Sequence, residues 1–256
     1  NTGGVYGDYF FWNSYSTPQW QIGTNSISLG RFAGQTLQQS DAVAVGMQAG
    51  QTNQFSGAIA IGFRAGQTNQ KQQAVAIGFR AGLGTQGQAS VAIGQEAGSF
   101  TQSIFAIAIG QQAGYGGGPN GNQKESSIAI GQNAGNNAQS AYTIAIGYLA
   151  GYNSQGGYGI GFRAGQESQG NGAVAIGGNA GFTGQGQYSL AIGSGAGQTA
   201  QGQFAFSIGF GAGSGGANTV AFGFNAGSAG QQTGAVAIGS GAGQTFQQTG
   251  SIAIGQ

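Results

Sequence analysis

Apolar and polar positions follow one pattern through most of the chain: small, apolar, small, apolar, Gly. It reads Ala58-Ile59-Ala60-Ile61-Gly62 and again Ala74-Val75-Ala76-Ile77-Gly78. The closing Gly stands at 30, 46, 62, 78, 94, 110, 131, 147, 161, 177, 193, 209, 223, 239 and 255, fifteen copies mostly spaced by 16. Alternation with period two is the signature of a strand. A short fixed period means one small unit stacked on itself. The pattern therefore predicts an all-β parallel β-solenoid, or β-roll, of about fifteen coils of 14–16 residues over residues 26–256.

Each strand has a bulky face and a small face. The bulky face holds Ile27, Val43, Ile59 and Val75 with Leu29, Val45, Ile61 and Ile77; the small face is Ala, Ser or Thr. β-branched residues favour strands, and the expectation is that they point into the coil while the small face points out. After the corner Gly, every complete repeat carries Ala-Gly, from Ala33-Gly34 to Ala242-Gly243. A methyl is expected at that inward corner, followed by a second turn, and a larger side chain there would overpack the coil.

Eight residues past the corner stands Gln in twelve of fourteen repeats, including Gln38, Gln54, Gln70, Gln86 and Gln247. Such a column forms either an amide ladder along the axis or a row of solvated turn residues. Two 14-residue spacings, ending at Gly161 and Gly223, shorten a turn yet keep strand parity. The one 21-residue spacing carries Tyr115-Gly116-Gly117-Gly118-Pro119-Asn120-Gly121, a loop insertion at 115–126.

Residues 1–25 are non-repetitive and aromatic, with Phe10, Phe11, Trp12 and Trp20. They read as an N-terminal cap or docking segment, since an open solenoid end templates pairing. Ile252 and Ile254 are expected on an open strand at the other end. Head-to-tail packing of residues 1–25 on residues 244–256 of the next copy is the expectation that joins the two. A start at Asn1 reads as a processed N-terminus with a secretion signal removed.

Only 4% of residues are charged and the net charge is +1, which gives no electrostatic case for nucleic acid or an anionic membrane surface. No apolar run is long enough to span a membrane. With no His and no Cys, the usual nucleophile pairs and the commonest transition-metal ligands are missing. The five acidic residues fall on distant coils, so no catalytic residue, cofactor or metal ligand is assigned, and the chain reads as a non-enzyme. A flat small-residue face could bind ice, but regular Thr rows are absent, Thr143 and Thr219 being the two on it.

Arg64, Arg80 and Glu96 share one coil position, beside Phe63 and Phe79, and Phe162-Arg163 repeats the pair. This column reads either as a solvated ladder or as a contact between chains. The assembly-interface candidates are thus Phe10, Phe11, Trp12, Trp20, Phe63, Arg64, Phe79, Arg80, Ile252 and Ile254.

The Ala-Val-Ala-Ile-Gly and Ser-Val-Ala-Ile-Gly units at 74–78 and 90–94 resemble the YadA-like head repeats of trimeric autotransporter adhesins. The resemblance covers residues 26–256. It implies a left-handed roll, association of three chains and surface adhesion. There is no neck, heptad stalk or C-terminal barrel in the sequence. The residues point to an extracellular structural rod that polymerises with itself. An adhesin head or a virion surface fibre is the alternative.

Overall fold

The computed structural model describes residues 9–13, 19–23, 25–116, 123–213 and 215–256; of 9–13 and 19–23 it describes the backbone. Strands β1 (Tyr9–Asn13) and β2 (Gln19–Gly23) form an antiparallel hairpin. From β3 (Ile27–Leu29) onward the chain is a parallel β-solenoid. One outward strand per coil builds a 15-stranded sheet that ends at Ile252–Ile254. Neighbours pair in strict register, Val43 on Ile59 and Ile59 on Val75. Its second sheet is thinner: five strands from Thr36–Gln38 to Thr101–Gln102, then three from Asn137–Gln139 to Glu167–Gln169.

The backbone is paired from coil to coil even through the turns. Val43 N donates to Ala58 O at 2.9 Å, Gln48 N to Arg31 O at 2.9 Å and Gly50 N to Ala65 O at 2.9 Å. Few backbone groups of a coil are left to solvent, which is how a chain with short strands stays ordered. The corner glycines do what the sequence assigns them. At Gly62, φ is 126°, and a Cβ would lie 2.6 Å from Gly78 O. No other residue fits so close an approach.

The strand faces are the reverse of the sequence expectation. Ala44, Ala60, Ala76, Ala92 and Ala108 are fully buried, while Val43, Val45, Val75 and Ile77 are half-exposed on the outer surface. The Ala after the corner is buried as expected, so the centre of the core is two alanine columns, flanked by the buried small residue that opens each strand, such as Ala58 and Ala74. Thr143 and Thr219, read as outward, are buried as well. They and Ser90 bond back to the carbonyl three residues earlier. The reason is space. A Cβ on Gly98 would sit 3.4 Å from Ala92 Cβ and 3.0 Å from Gln102 Oε1, so the interior is one methyl and one amide deep. An inward Ile cannot fit.

The third inward column is Gln, and the ladder forms. Gln54, Gln70 and Gln86 are buried; Gln54 Nε2 donates to Gln70 Oε1 at 3.1 Å and Gln70 Nε2 to Gln86 Oε1 at 3.2 Å. Each amide also donates across the roll to a strand carbonyl, Gln70 to Ile59 O at 2.7 Å. The Gly of Ala-Gly makes room for it: a Cβ on Gly66 would lie 2.7 Å from the Gln70 amide carbon. At the insertion, Gln123 takes the ladder place and accepts from Gln102 at 3.1 Å. In the shortened coil ending at Gly223, Gly215 stands opposite Gln231. There Ser207 replaces the strand Ala, accepts from Gln201 Nε2 at 2.9 Å and donates to Gly213 O at 3.3 Å.

A candidate assembly face

Turning the Val/Ile columns outward gives the rod an apolar side. Fifteen strands at about 4.8 Å make it about 70 Å long, and three residues of strand make it about 10 Å wide. Its two outward residues per coil are Val, Ile or Leu in most coils. Exceptions such as Tyr158, Phe206 and Phe222 are larger and stand further out.

A third column beside it, one residue past the corner Gly, carries Met47, Phe63, Phe79, Tyr148, Phe162, Phe210 and Phe224. Rings on successive coils stack: Phe63 on Phe79 at 5.3 Å, Tyr148 on Phe162 at 5.5 Å and Phe210 on Phe224 at 5.5 Å between centroids. The coil pitch dictates this, since side chains in register must lie face to face.

The next residue of each coil stands at positive φ, 55° at Arg64 and 53° at Arg80, which throws its side chain along the surface. Each guanidinium covers its own neighbour ring, Arg64 at 5.2 Å from the Phe63 centroid, Arg80 at 5.3 Å from Phe79 and Arg163 at 5.3 Å from Phe162. Arg64 Nε donates to Gln48 Oε1 at 2.8 Å, Arg80 pairs with Glu96 at 3.6 Å, and Gln112 Nε2 donates to Glu96 Oε2 at 2.9 Å. Arg80, Glu96 and Gln112 are therefore linked along the axis, and Arg64 is held by Gln48 on the coil before it. An exposed pair of this kind adds little stability.

The structure brings Phe63, Arg64, Phe79 and Arg80 into one patch along the edge of the Val/Ile face. Ile252 and Ile254 lie on the last strand of the same sheet, 70% and 74% exposed. Phe10, Phe11 and Trp12 fall on β1 and Trp20 on β2, with Trp12 paired to Trp20 in the hairpin register. Their side chains lie outside the described residues, as do positions 117–122 of the insertion.

Sequence reading missed the Val/Ile face itself. The signal was present in the repeats: the strand centre stays Ala in most coils and never exceeds Ser, whereas its flanks range from Val to Tyr and Phe. A position that tolerates no growth is packed, and one that varies in size is open.

Among the described residues no group of three or more His, Cys, Asp or Glu comes together that could hold a metal ion. Nor, among those residues, is any helix long and apolar enough to cross a membrane. No family model, curated protein or solved structure matches the chain.

Proposed function

We propose that the protein is a structural rod, working outside the cell or on its surface, that associates with copies of itself side by side through the Val/Ile face. The observation that carries this is the continuous outward apolar face. At about 70 by 10 Å its footprint is about 700 Å², more than the roughly 300–600 Å² largest patch of an ordinary monomer. It approaches the roughly 800 Å² that each partner gives to a stable interface. The stacked rings along its edge extend it, and aromatic residues are the usual anchors of such contacts.

Two copies face to face, or three about an axis as the adhesin-head resemblance implies, both cover the face. End-to-end stacking, the axial arrangement expected from residues 1–25 and 244–256, would turn the same rods into filaments. The test is sedimentation velocity of the whole chain beside Ile93→Lys/Ile109→Lys. These two neighbours are paired in register on the outer surface. The wild type is expected as an oligomer and the variant as a folded 25.2 kDa monomer. A wild type that sediments as monomer at tens of micromolar defeats the proposal. Electron micrographs of the same material separate long axial fibres from short bundles.

A further inference from the structure

The turn that leads from each Gln back to the outward strand forms a second edge of the rod, and its surface is not uniform. Five residues before the corner Gly, four coils carry Gly57, Gly172, Gly234 and Gly250, at φ of 66–73°. In the middle of the rod the same column reads Tyr142, Gly156, Gly172, Tyr188, Phe204. Tyr142, Tyr188 and Phe204 also stand at positive φ, 60°, 53° and 56°, as do other non-Gly residues of the column, Gln73 and Phe105 among them. A bulky residue there carries a backbone cost that the glycines avoid. Tyr142 and Tyr188 are moreover 62% and 57% exposed, so burial does not explain them.

Between the two tyrosines the shortened coil that ends at Gly161 leaves a hollow of about 340 Å³, floored by Gly156 and bordered by Ser140, Thr143, Tyr158 and Asn171. The Tyr188 ring lies just beyond one end, over Gly172, where a Cβ would meet it at 2.8 Å. Its other side stacks on Phe204 at 5.6 Å, which holds it in place. Tyr142 lines the hollow at its other end, three coil steps or about 14 Å from Tyr188. Glu125 engages Tyr142 by charge and hydrogen bond, and holds its phenol above the ordinary value. Glu125 also lines a second hollow of about 710 Å³ on the same edge, which runs back to Lys71 over Thr85, Thr101 and Ser103. The two hollows thus follow one another along the axis.

The chemistry of this trough selects its occupant. Lys71 rests over the Phe55 ring at 4.5 Å, Glu125 is engaged with Tyr142, and the remaining polar groups are hydroxyls and amides. Such groups donate and accept without charge, as a polyhydroxylated chain requires. An aromatic face complements the C–H face of a sugar ring through dispersion and the ring quadrupole. A peptide adding as a strand needs free backbone groups. Here Tyr142 N, Gly172 N and Tyr188 N each bond to the preceding coil at 3.0 Å. We propose that this edge binds a neutral polysaccharide, with sugar rings seated against Tyr142 and against the face of Tyr188 that Phe204 leaves open.

Apart from Tyr158, which borders the hollow from the Val/Ile face, the lining lies beside that face, so the proposal stands whether or not copies associate. The experiment is biolayer interferometry of the protein as isolated on immobilised laminarin, xylan, dextran and hydroxyethyl cellulose, with heparin as the anionic comparison. Binding to at least one neutral polymer is expected. Tyr142→Ala and Tyr188→Ala each weaken it by about tenfold, while Tyr142→Phe, which keeps the ring, binds within a few-fold of wild type. Phe224→Ala, on the other edge, leaves it unchanged, and circular dichroism verifies that each variant is folded. Absence of binding to all four neutral polymers overturns the proposal. So does equal binding by the tyrosine-to-alanine variants, or binding to heparin alone.

Discussion

The glutamine ladder makes a graded prediction because it is not equally complete along the rod. Gln86 is fully buried; its Nε2 donates to Val75 O at 2.7 Å and to Gln102 Oε1 at 3.2 Å, and its Oε1 accepts from Gln70. Leucine has nearly the volume of glutamine and none of these bonds. In Gln86→Leu, Gln102 Oε1 loses its donor, Val75 O is left with its strand bond to the next coil alone, and Gln70 Nε2 keeps Ile59 O and Ala74 O. An unsatisfied buried group costs about 1–3 kcal/mol. One orphaned oxygen and two lost hydrogen bonds, less part of the gain from burying an apolar side chain, give a loss of about 1–3 kcal/mol.

Gln139 differs. It is as deeply buried, but its Oε1 has no partner, and its Nε2 donates to Ile128 O at 2.7 Å and to Thr143 O at 3.4 Å. Gln139→Leu takes one of two donors from Ile128 O, which keeps its strand bond, and removes an amide oxygen that was already unpaired. Its expected loss is below about 1 kcal/mol. The assay is hydrogen exchange by mass spectrometry over the mutated coil and its two neighbours, because a solenoid opens by coils and a global midpoint blurs the site. Gln86→Leu should raise exchange more, and across more coils, than Gln139→Leu. Equal effects would refute the reasoning: stability would then come from the amide-to-strand bond, with the axial ladder contributing nothing.

Further predictions test the packing and the electrostatics. Ala76→Val forces two methyls into the alanine column and should cost about 1–3 kcal/mol or prevent folding. Val75→Ala, one residue away on the outer surface, should leave the circular dichroism melt nearly unchanged, and equal losses would reverse the assigned faces. Ser207→Ala leaves Gln201 Nε2 without its hydroxyl partner but with Leu190 O and Ala205 O. A loss of about 1 kcal/mol in chemical denaturation is expected. Tyr142 has its pKa raised above 10.0, first by the charge of Glu125 and then by their hydrogen bond. Its raised folded value favours the neutral phenol, so the support it lends the fold is complete below pH 10 and fades as pH climbs through the higher folded value. Near-ultraviolet titration, with Tyr142→Phe as the blank, should show its phenolate late, and Glu125→Gln should bring it back toward the ordinary range.

The period, the register and the roles of Ala, Gly and Gln were legible in the chain because each coil repeats the same steric demand. Gly62 and Gly66 are glycine for two different reasons, backbone approach at one and clearance for the Gln70 amide at the other. Both reasons recur coil after coil, so the pattern survives in the letters. Which strand face points inward was not legible from hydrophobicity. The rule that apolar residues go inside presumes an interior wide enough to hold them, and this one is a methyl and an amide across. Ala at 76 and Gln at 86 set that width, and the β-branched residues are left outside by exclusion. A narrow coil cannot bury its own Val and Ile. An exposed apolar column is normally a liability, and here the repeat reproduces it in nearly every coil from Val43 to Val236. A fold that keeps its bulky residues outside can gain their burial only from a surface beyond itself. That argues for a rod whose stability is completed by assembly, and it places the variable residues Tyr142 and Tyr188 on the edge left free when that face is covered.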